Sequence, residues 1–124
     1  MMDIWLLIGA LGLIAVHESA HAVMAHRLGG RFLGVVWDLR RARVGVRLDV
    51  TGLTPAQVRW TLVAAPIAEA LWIAFWVWWH PVVAPWWRMV LPIHWALNAL
   101  PFGSTDGARF WATWRRPARP GGAS

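Results

Sequence analysis

The chain contains no cysteine and no tyrosine, and only 6 of its 124 residues are acidic. The absence of cysteine excludes disulfides and thiolate metal sites, so histidine and carboxylate side chains are left as ligands for a metal ion. The chain is rich in apolar residues: 58% of its residues are hydrophobic, and 12 are tryptophan. This composition is too apolar for an ordinary soluble domain, and the length predicts a single domain.

Three long apolar stretches organise the sequence, at about residues 4–26, 58–79 and 82–102. Each is near the length of about 20 residues that a helix needs to cross a hydrocarbon core about 30 Å thick. Met1, Met2 and Asp3 provide no basic segment before the first stretch, which therefore predicts a membrane span rather than a cleaved signal peptide. We expect a mainly α, polytopic membrane protein with three transmembrane helices.

The basic residues are all arginine, and they give a formal net charge of +6 at pH 7. Most lie between the first two stretches, at the start of the second or after the third, at positions 27, 31, 40, 41, 43, 47, 59, 109, 115, 116 and 119. The positive-inside rule then favours an N-out, C-in topology in a prokaryotic cytoplasmic membrane. Arginines beside apolar spans fit anionic lipid, so we expect the lipid bilayer and no nucleic acid as the partner of this charge.

The segment between the first two spans predicts a short cytoplasmic β-hairpin at about residues 31–50. Residues 31–37 and 43–50 are rich in Val, Leu and Phe, and the second run alternates apolar and other residues. The hairpin could lie on lipid headgroups, or its edge could pair with an extended substrate. Thr54, Pro55 and Gln57 then form a capping box that starts the second helix. We expect residues 1–110 to form the membrane-embedded core and residues 111–124 a basic flexible tail.

His17, Glu18 and His21 form an H-E-x-x-H motif within the first span, where ionisable groups are costly and indicate a functional site. Positions i and i+4 share one face of a helix, so both imidazoles can bind one Zn²⁺ while Glu18 acts as the base for a hydrolytic water. The alternative is that these histidines are hydrogen-bonded core residues.

The third span ends with a second informative cluster, which contains Asn98, Pro101, Gly103 and Asp106. Pro101 and Gly103 predict the end of the helix, which leaves Asp106 in irregular chain near the inner boundary. Spans one and three run in the same direction, so Asp106 can reach the depth of the two histidines. A two-His, one-carboxylate set leaves an open fourth position, as catalytic zinc requires. The alternative is that Asp106 belongs only to a surface turn.

Glu69 lies about halfway along the second span, and three interpretations of it stay open. It can be protonated and hydrogen-bonded, it can pair with His94 or an arginine, or it can replace Asp106 as the third zinc ligand. His94 lies one helical turn before Asn98 and can line the same cavity.

These motifs resemble those of the site-2 protease family of intramembrane zinc metalloproteases. Members carry H-E-x-x-H in one core span and N-x-x-P-x-x-x-x-D-G in the third. The second of these motifs corresponds here to Asn98, Pro101, Asp106 and Gly107. The A-G-P-x-x-N stretch of the middle span is similar to residues 64–69 here, with Ala65 in place of the glycine and Glu69 in place of the asparagine. No additional spans and no PDZ-like insertion accompany the core.

The resemblance implies that His17, His21 and Asp106 bind Zn²⁺ and that Glu18 is the general base. Asn98 would hold the substrate backbone or stabilise the oxyanion. The implied activity is that of a zinc metalloendopeptidase that cleaves membrane-protein substrates in or near their transmembrane segments. A catalytically silent membrane scaffold and a zinc sensor or carrier are the alternatives, and an oligomer is compatible with either.

Overall fold

The computed structural model of the protein describes residues 2–41, 43–80, 84–100 and 105–115. The elements are α1 (Met2–Arg27), β1 (Arg31–Asp38), β2 (Arg43–Asp49), α2 (Pro55–Trp79), α3 (Ala84–Ala99) and α4 (Asp106–Arg115). A short 3₁₀ turn at Leu39–Arg41 joins the two strands, which pair antiparallel. A mainly helical protein with a hairpin between its first two long helices is therefore confirmed.

Helices α1 and α2 are long and apolar enough to cross a membrane. Ile4–Arg27 and Pro55–Trp79 both have a mean hydropathy of 1.6. Large apolar side chains point outward from both helices, including Leu7 at 57% exposure and Leu71 at 69%. Soluble proteins rarely expose apolar surface on this scale, so these features indicate association with a membrane.

A third span is not shown by the described part of the chain. Helix α3 has 16 residues, from Ala84 to Ala99. At a rise of about 1.5 Å per residue it is about 24 Å long, which is short of a hydrocarbon core of about 30 Å. The sequence predicted a span over about 82–102, and residues 82, 83, 101 and 102 lie outside the described ranges.

Helices α1 and α2 pack antiparallel, and this arrangement determines where along the two helices the site lies. Trp72 donates its indole N–H to the carbonyl of Gly9 over 3.0 Å. Because a Cβ at Gly12 would collide with the ring of Trp72, glycine at this position lets the two helices approach closely. The apolar core lies at this end of the pair and consists of Leu13, Ile73, Trp76 and Trp87.

Helix α2 begins as the sequence predicted. The Thr54 hydroxyl accepts the N–H of Gln57 over 3.2 Å, and the Gln57 side chain accepts the N–H of Thr54 over 2.9 Å. Pro55 occupies the first turn, where no helix hydrogen bond needs its missing N–H. The capping box is therefore confirmed.

The chain around Asp106 differs from the expectation of irregular structure and a tail from residue 111. Helix α4 starts at Asp106 and ends at Arg115. Thr105 caps it, since its hydroxyl accepts the N–H of Ala108 over 3.2 Å. The guanidinium of Arg59 lies 3.9 Å from the ring centroid of Trp114, which ties α4 to α2. Residues 116–124 of the predicted tail lie outside the described ranges.

Candidate metal centre

The two histidines of the H-E-x-x-H motif are held by groups on α2. Nδ1 of His21 lies 2.9 Å from the backbone carbonyl oxygen of Thr61. Nδ1 of His17 lies 2.6 Å from Oε1 of Glu69. Both rings are fixed from the α2 side, so both Nε2 atoms point towards the same space.

These contacts also define which nitrogen of each neutral ring carries the hydrogen. The Thr61 carbonyl can only accept, so Nδ1 of His21 must donate. The carboxylate of Glu69 likewise accepts from Nδ1 of His17. In both neutral rings, Nε2 then presents a lone pair, which is the form that binds metals.

Asp106 completes a compact triangle of ligand atoms. Its Oδ2 lies 3.0 Å from Nε2 of His17 and 3.0 Å from Nε2 of His21, and the two Nε2 atoms are 3.1 Å apart. Tetrahedral ligands about 2.0–2.1 Å from a zinc ion are separated by about 3.3 Å. The triangle therefore needs only a small expansion to hold zinc with one position open.

The electrostatics of the triangle favour a positive charge at its centre. Three lone pairs about 3 Å apart repel one another unless a proton or a cation lies between them. Burial acts to raise the pKa of Asp106, but hydrogen bonds from His17 and His21 lower it below the usual range, and such bonds place a proton in the space that a metal ion would take. A divalent cation at the centre of the triangle would interact with all three lone pairs at once, so these residues fit Zn²⁺.

The position of Asp106 depends on its neighbours in α3 and α4. Gly107 is buried against the last turn of α3, where a Cβ would collide with the backbone carbonyls of Asn98 and Ala99. The Asn98 side chain donates to Oδ2 of Asp106 over 3.5 Å. The Asp-Gly pair is therefore a packed junction that presents the carboxylate to α1, and Asn98 supports that carboxylate.

Glu18 lies beside the triangle and is anchored by the hairpin. Its Oε1 is 4.0 Å from Nε2 of His17, while Oε2 accepts the backbone N–H of Val46 over 2.9 Å. Gly45 leaves room for this carboxylate, because a Cβ there would lie 3.3 Å from Oε2. One carboxylate oxygen is thus held by β2, and the other lies near one corner of the triangle, the Nε2 atom of His17.

Glu69 lies behind His17 and not in the triangle. It is 1% exposed, and it also accepts from Nε2 of His94 over 2.9 Å and from the indole N–H of Trp95 over 2.8 Å. His17, Glu69 and His94 form a second group close enough to hold a cation. In that group, however, each contact already joins an N–H donor to a carboxylate oxygen.

Five residues that hold the site were not predicted from the sequence. Trp95, Val46 and Gly45 belong to no recognisable motif. Thr61 contributes its backbone carbonyl, a group that every residue has. The Trp95 contact joins α3 to α2, and the Val46 contact joins β2 to α1. Only the cap at Thr105 had a readable signal, a threonine followed by an aspartate in the first helical turn.

Comparison of the chain with protein-family models, curated proteins and solved structures gives no match. Function is therefore inferred from the residues of the site and their geometry.

Proposed function

We propose that the protein is an intramembrane zinc metalloprotease of the site-2 protease type, which hydrolyses peptide bonds in or near transmembrane segments of membrane proteins. The observation that carries this proposal is the convergence of His17, His21 and Asp106 within 3.1 Å, with Glu18 beside them. A site that only stored or sensed zinc would not need a free carboxylate next to an open coordination position.

Zinc bound here would polarise the scissile carbonyl and lower the pKa of the attacking water towards about 7. Glu18 accepts the proton of that water and passes it to the leaving amine. The N–H of Val46 keeps Glu18 in place, with the second oxygen free for proton transfer. Glu69 and the Thr61 carbonyl hold the two imidazoles in the form that binds metal.

The proposed substrate is an extended segment of a membrane protein. The Val46 N–H points to Glu18 and not to β1, so the outer edge of β2 faces the site. Val44 and Leu48 share this backbone orientation, because orientation alternates along a strand. An unwound substrate segment can pair with that edge and present its carbonyl groups beside Glu18.

The proposed setting is a prokaryotic cytoplasmic membrane with three spans, the N-terminus outside and the C-terminus inside. The arginines around the hairpin and after α3 support this orientation. The exposed apolar side chains of α1 and α2 support burial of both helices in lipid. The metal centre then lies in the half of α1 nearer the inside.

Removal of the metal tests the proposal directly. We expect purified protein to bind one zinc ion and to cleave fluorescein-labelled casein, an unstructured protein that needs no unwinding. Treatment with a chelator should reduce cleavage to background, and Zn²⁺ should restore it while Mg²⁺ should not, because Mg²⁺ prefers oxygen ligands. Metal analysis should establish that the chelator has removed the zinc. Cleavage by this zinc-free protein would contradict the proposal.

The contact between β2 and Glu18 gives a second prediction. Gly45→Ala should place a Cβ 3.3 Å from Oε2 of Glu18 and displace the carboxylate by a few tenths of an ångström. Because proton transfer depends on alignment, we expect casein turnover to fall roughly tenfold with zinc content unchanged. Gly52→Ala is the matched control, since nothing lies within 4 Å of its Cβ position. Equal turnover of the two variants would show that this contact does not align Glu18.

A further inference from the structure

We infer that Glu69 is a positioning residue of the metal centre, which orients and polarises His17 through Nδ1, and that its role requires a carboxylate with both oxygens available as acceptors. This inference rests on the proposed zinc centre. It assigns a function to the residue for which the sequence left three alternatives.

Glu69 is a buried carboxylate whose charge is compensated by hydrogen-bond donors. Its side chain is 1% exposed, and burying a carboxylate without partners is very unfavourable. Three N–H groups compensate for this burial: Nδ1 of His17 at 2.6 Å, Nε2 of His94 at 2.9 Å and Nε1 of Trp95 at 2.8 Å. They come from α1 and α3, so Glu69 joins three helices at the level of the metal ligands.

The shortest contact of Glu69 is made with one of the two histidines of the triangle. The shortest hydrogen bond of Glu69 is the one to His17, whose other ring nitrogen faces Asp106 across 3.0 Å. A carboxylate behind a ligating imidazole fixes its tautomer and orientation and increases its basicity. His21 has only the neutral carbonyl of Thr61 in the equivalent position. The two histidine ligands are therefore supported unequally, and His17 is the one that depends on a charge.

Glutamine cannot substitute for Glu69, because both side-chain oxygens of Glu69 accept hydrogen bonds. His17 and His94 both donate to Oε1, while Trp95 donates to Oε2. An amide has one oxygen and one NH₂ group, so one orientation places NH₂ against the Trp95 N–H and the other places it against two imidazole N–H groups. Only a carboxylate accepts from all three donors.

The same residues could in principle hold a second cation between His17, Glu69 and His94. That arrangement would require His17 to lose its Nδ1 proton and bridge two metals as an imidazolate. Hydrogen bonds already satisfy these atoms, so we expect one zinc ion per chain and no metal at this position.

Zinc affinity is the decisive measurement, because it does not depend on cleavage. Competition with a chromophoric chelator should show that Glu69→Gln binds zinc about 10- to 100-fold more weakly than wild type, the usual effect of removing a carboxylate behind a histidine ligand. Trp95→Phe removes one donor and keeps the charge, so its zinc affinity should stay within about threefold of wild type.

The double variant Glu69→Gln/Trp95→Phe separates charge from steric and donor conflict. With Trp95 replaced, the amide can direct its oxygen to His17 and His94 and its NH₂ towards the space left by the indole. We expect zinc affinity to stay as low as in Glu69→Gln alone, because the negative charge behind His17 is still missing. Recovery to the wild-type affinity would overturn the inference, because the defect would then arise from the conflict with Trp95.

The outcomes distinguish this inference from the proposed function. Wild-type protein that binds no zinc would overturn both. Wild-type protein that binds zinc while Glu69→Gln binds it equally well would overturn only the role of Glu69. If wild-type protein binds two zinc ions per chain and Glu69→Gln binds only one, Glu69 would be a direct ligand of a second zinc ion and not a positioning residue. If Glu69→Gln does not fold, the double variant supplies the same comparison with the donor conflict removed.

Discussion

We expect Glu18→Gln to stop casein cleavage while the purified variant keeps its zinc. The amide is nearly the same size as the carboxylate, and its oxygen can still accept the N–H of Val46, so the hairpin contact survives. What is lost is the ability to take a proton from the attacking water. General base catalysis typically contributes about 10²- to 10⁴-fold, and we expect a loss in this range or larger. Turnover and zinc content should be measured on the same preparation.

The zinc content gives this experiment its specificity. Glu18 contacts the metal triangle only at 4.0 Å, from Oε1 to Nε2 of His17, so its replacement should not release the ion. Full activity in Glu18→Gln would refute the proposed mechanism. Loss of zinc from this variant would instead make Glu18 a ligand and leave the base unidentified.

The parts of the site that the sequence could predict are those encoded by short-range spacing. His17 and His21 are four residues apart on one helix, so their shared face follows from helix geometry. Thr54 and Gln57 are three apart and form the predicted cap for the same kind of reason. In each case the partners lie on the same element, and no knowledge of tertiary structure is needed.

The role of Glu69 could not be predicted in this way, because its partners lie 52, 25 and 26 residues away. The sequence indicated only that a carboxylate within an apolar helix needs compensation. Pairing with His94 was among the alternatives, whereas nothing in the sequence indicated the contact with the Trp95 indole. The contacts that decide its function depend on how α1, α2 and α3 pack.

The third span and α4 show how helix ends limit prediction. Apolar residues extend from 82 to 102, but the helix described there covers only Ala84–Ala99. Helix α4 has both a capping threonine and an aspartate in its first turn, yet its arginines suggested a solvated tail. Arg59, Trp114 and Thr113 hold α4 on α2 instead, and this packing brings Asp106 to the histidines.

Asp106→Ala should cause the largest loss of zinc. The substitution removes one corner of the triangle, an oxygen 3.0 Å from both Nε2 atoms, and leaves two neutral imidazoles that cannot balance a divalent charge. Removing a group that only orients a metal ligand typically weakens zinc binding by about 10- to 100-fold. We expect Asp106→Ala to weaken it by more than this. The helix should survive, because Thr105 still caps it and an aspartate in the first turn contributes only about 0.3–1 kcal/mol. Circular dichroism of the purified variant checks this point.

Two matched variants complete the Asp106 experiment. Asp106→Asn keeps the shape of the side chain but loses its charge, so it should also lose zinc. Asp38→Ala removes a carboxylate from the hairpin, where it accepts the N–H of Arg41 over 3.3 Å, and should bind zinc like wild type. The critical comparison is with Glu69→Gln, which should still bind one zinc ion at saturating metal. Zinc lost from Glu69→Gln but retained in Asp106→Ala would reverse the assignment of the third ligand, and it would weaken the resemblance to site-2 proteases on which that assignment partly depends.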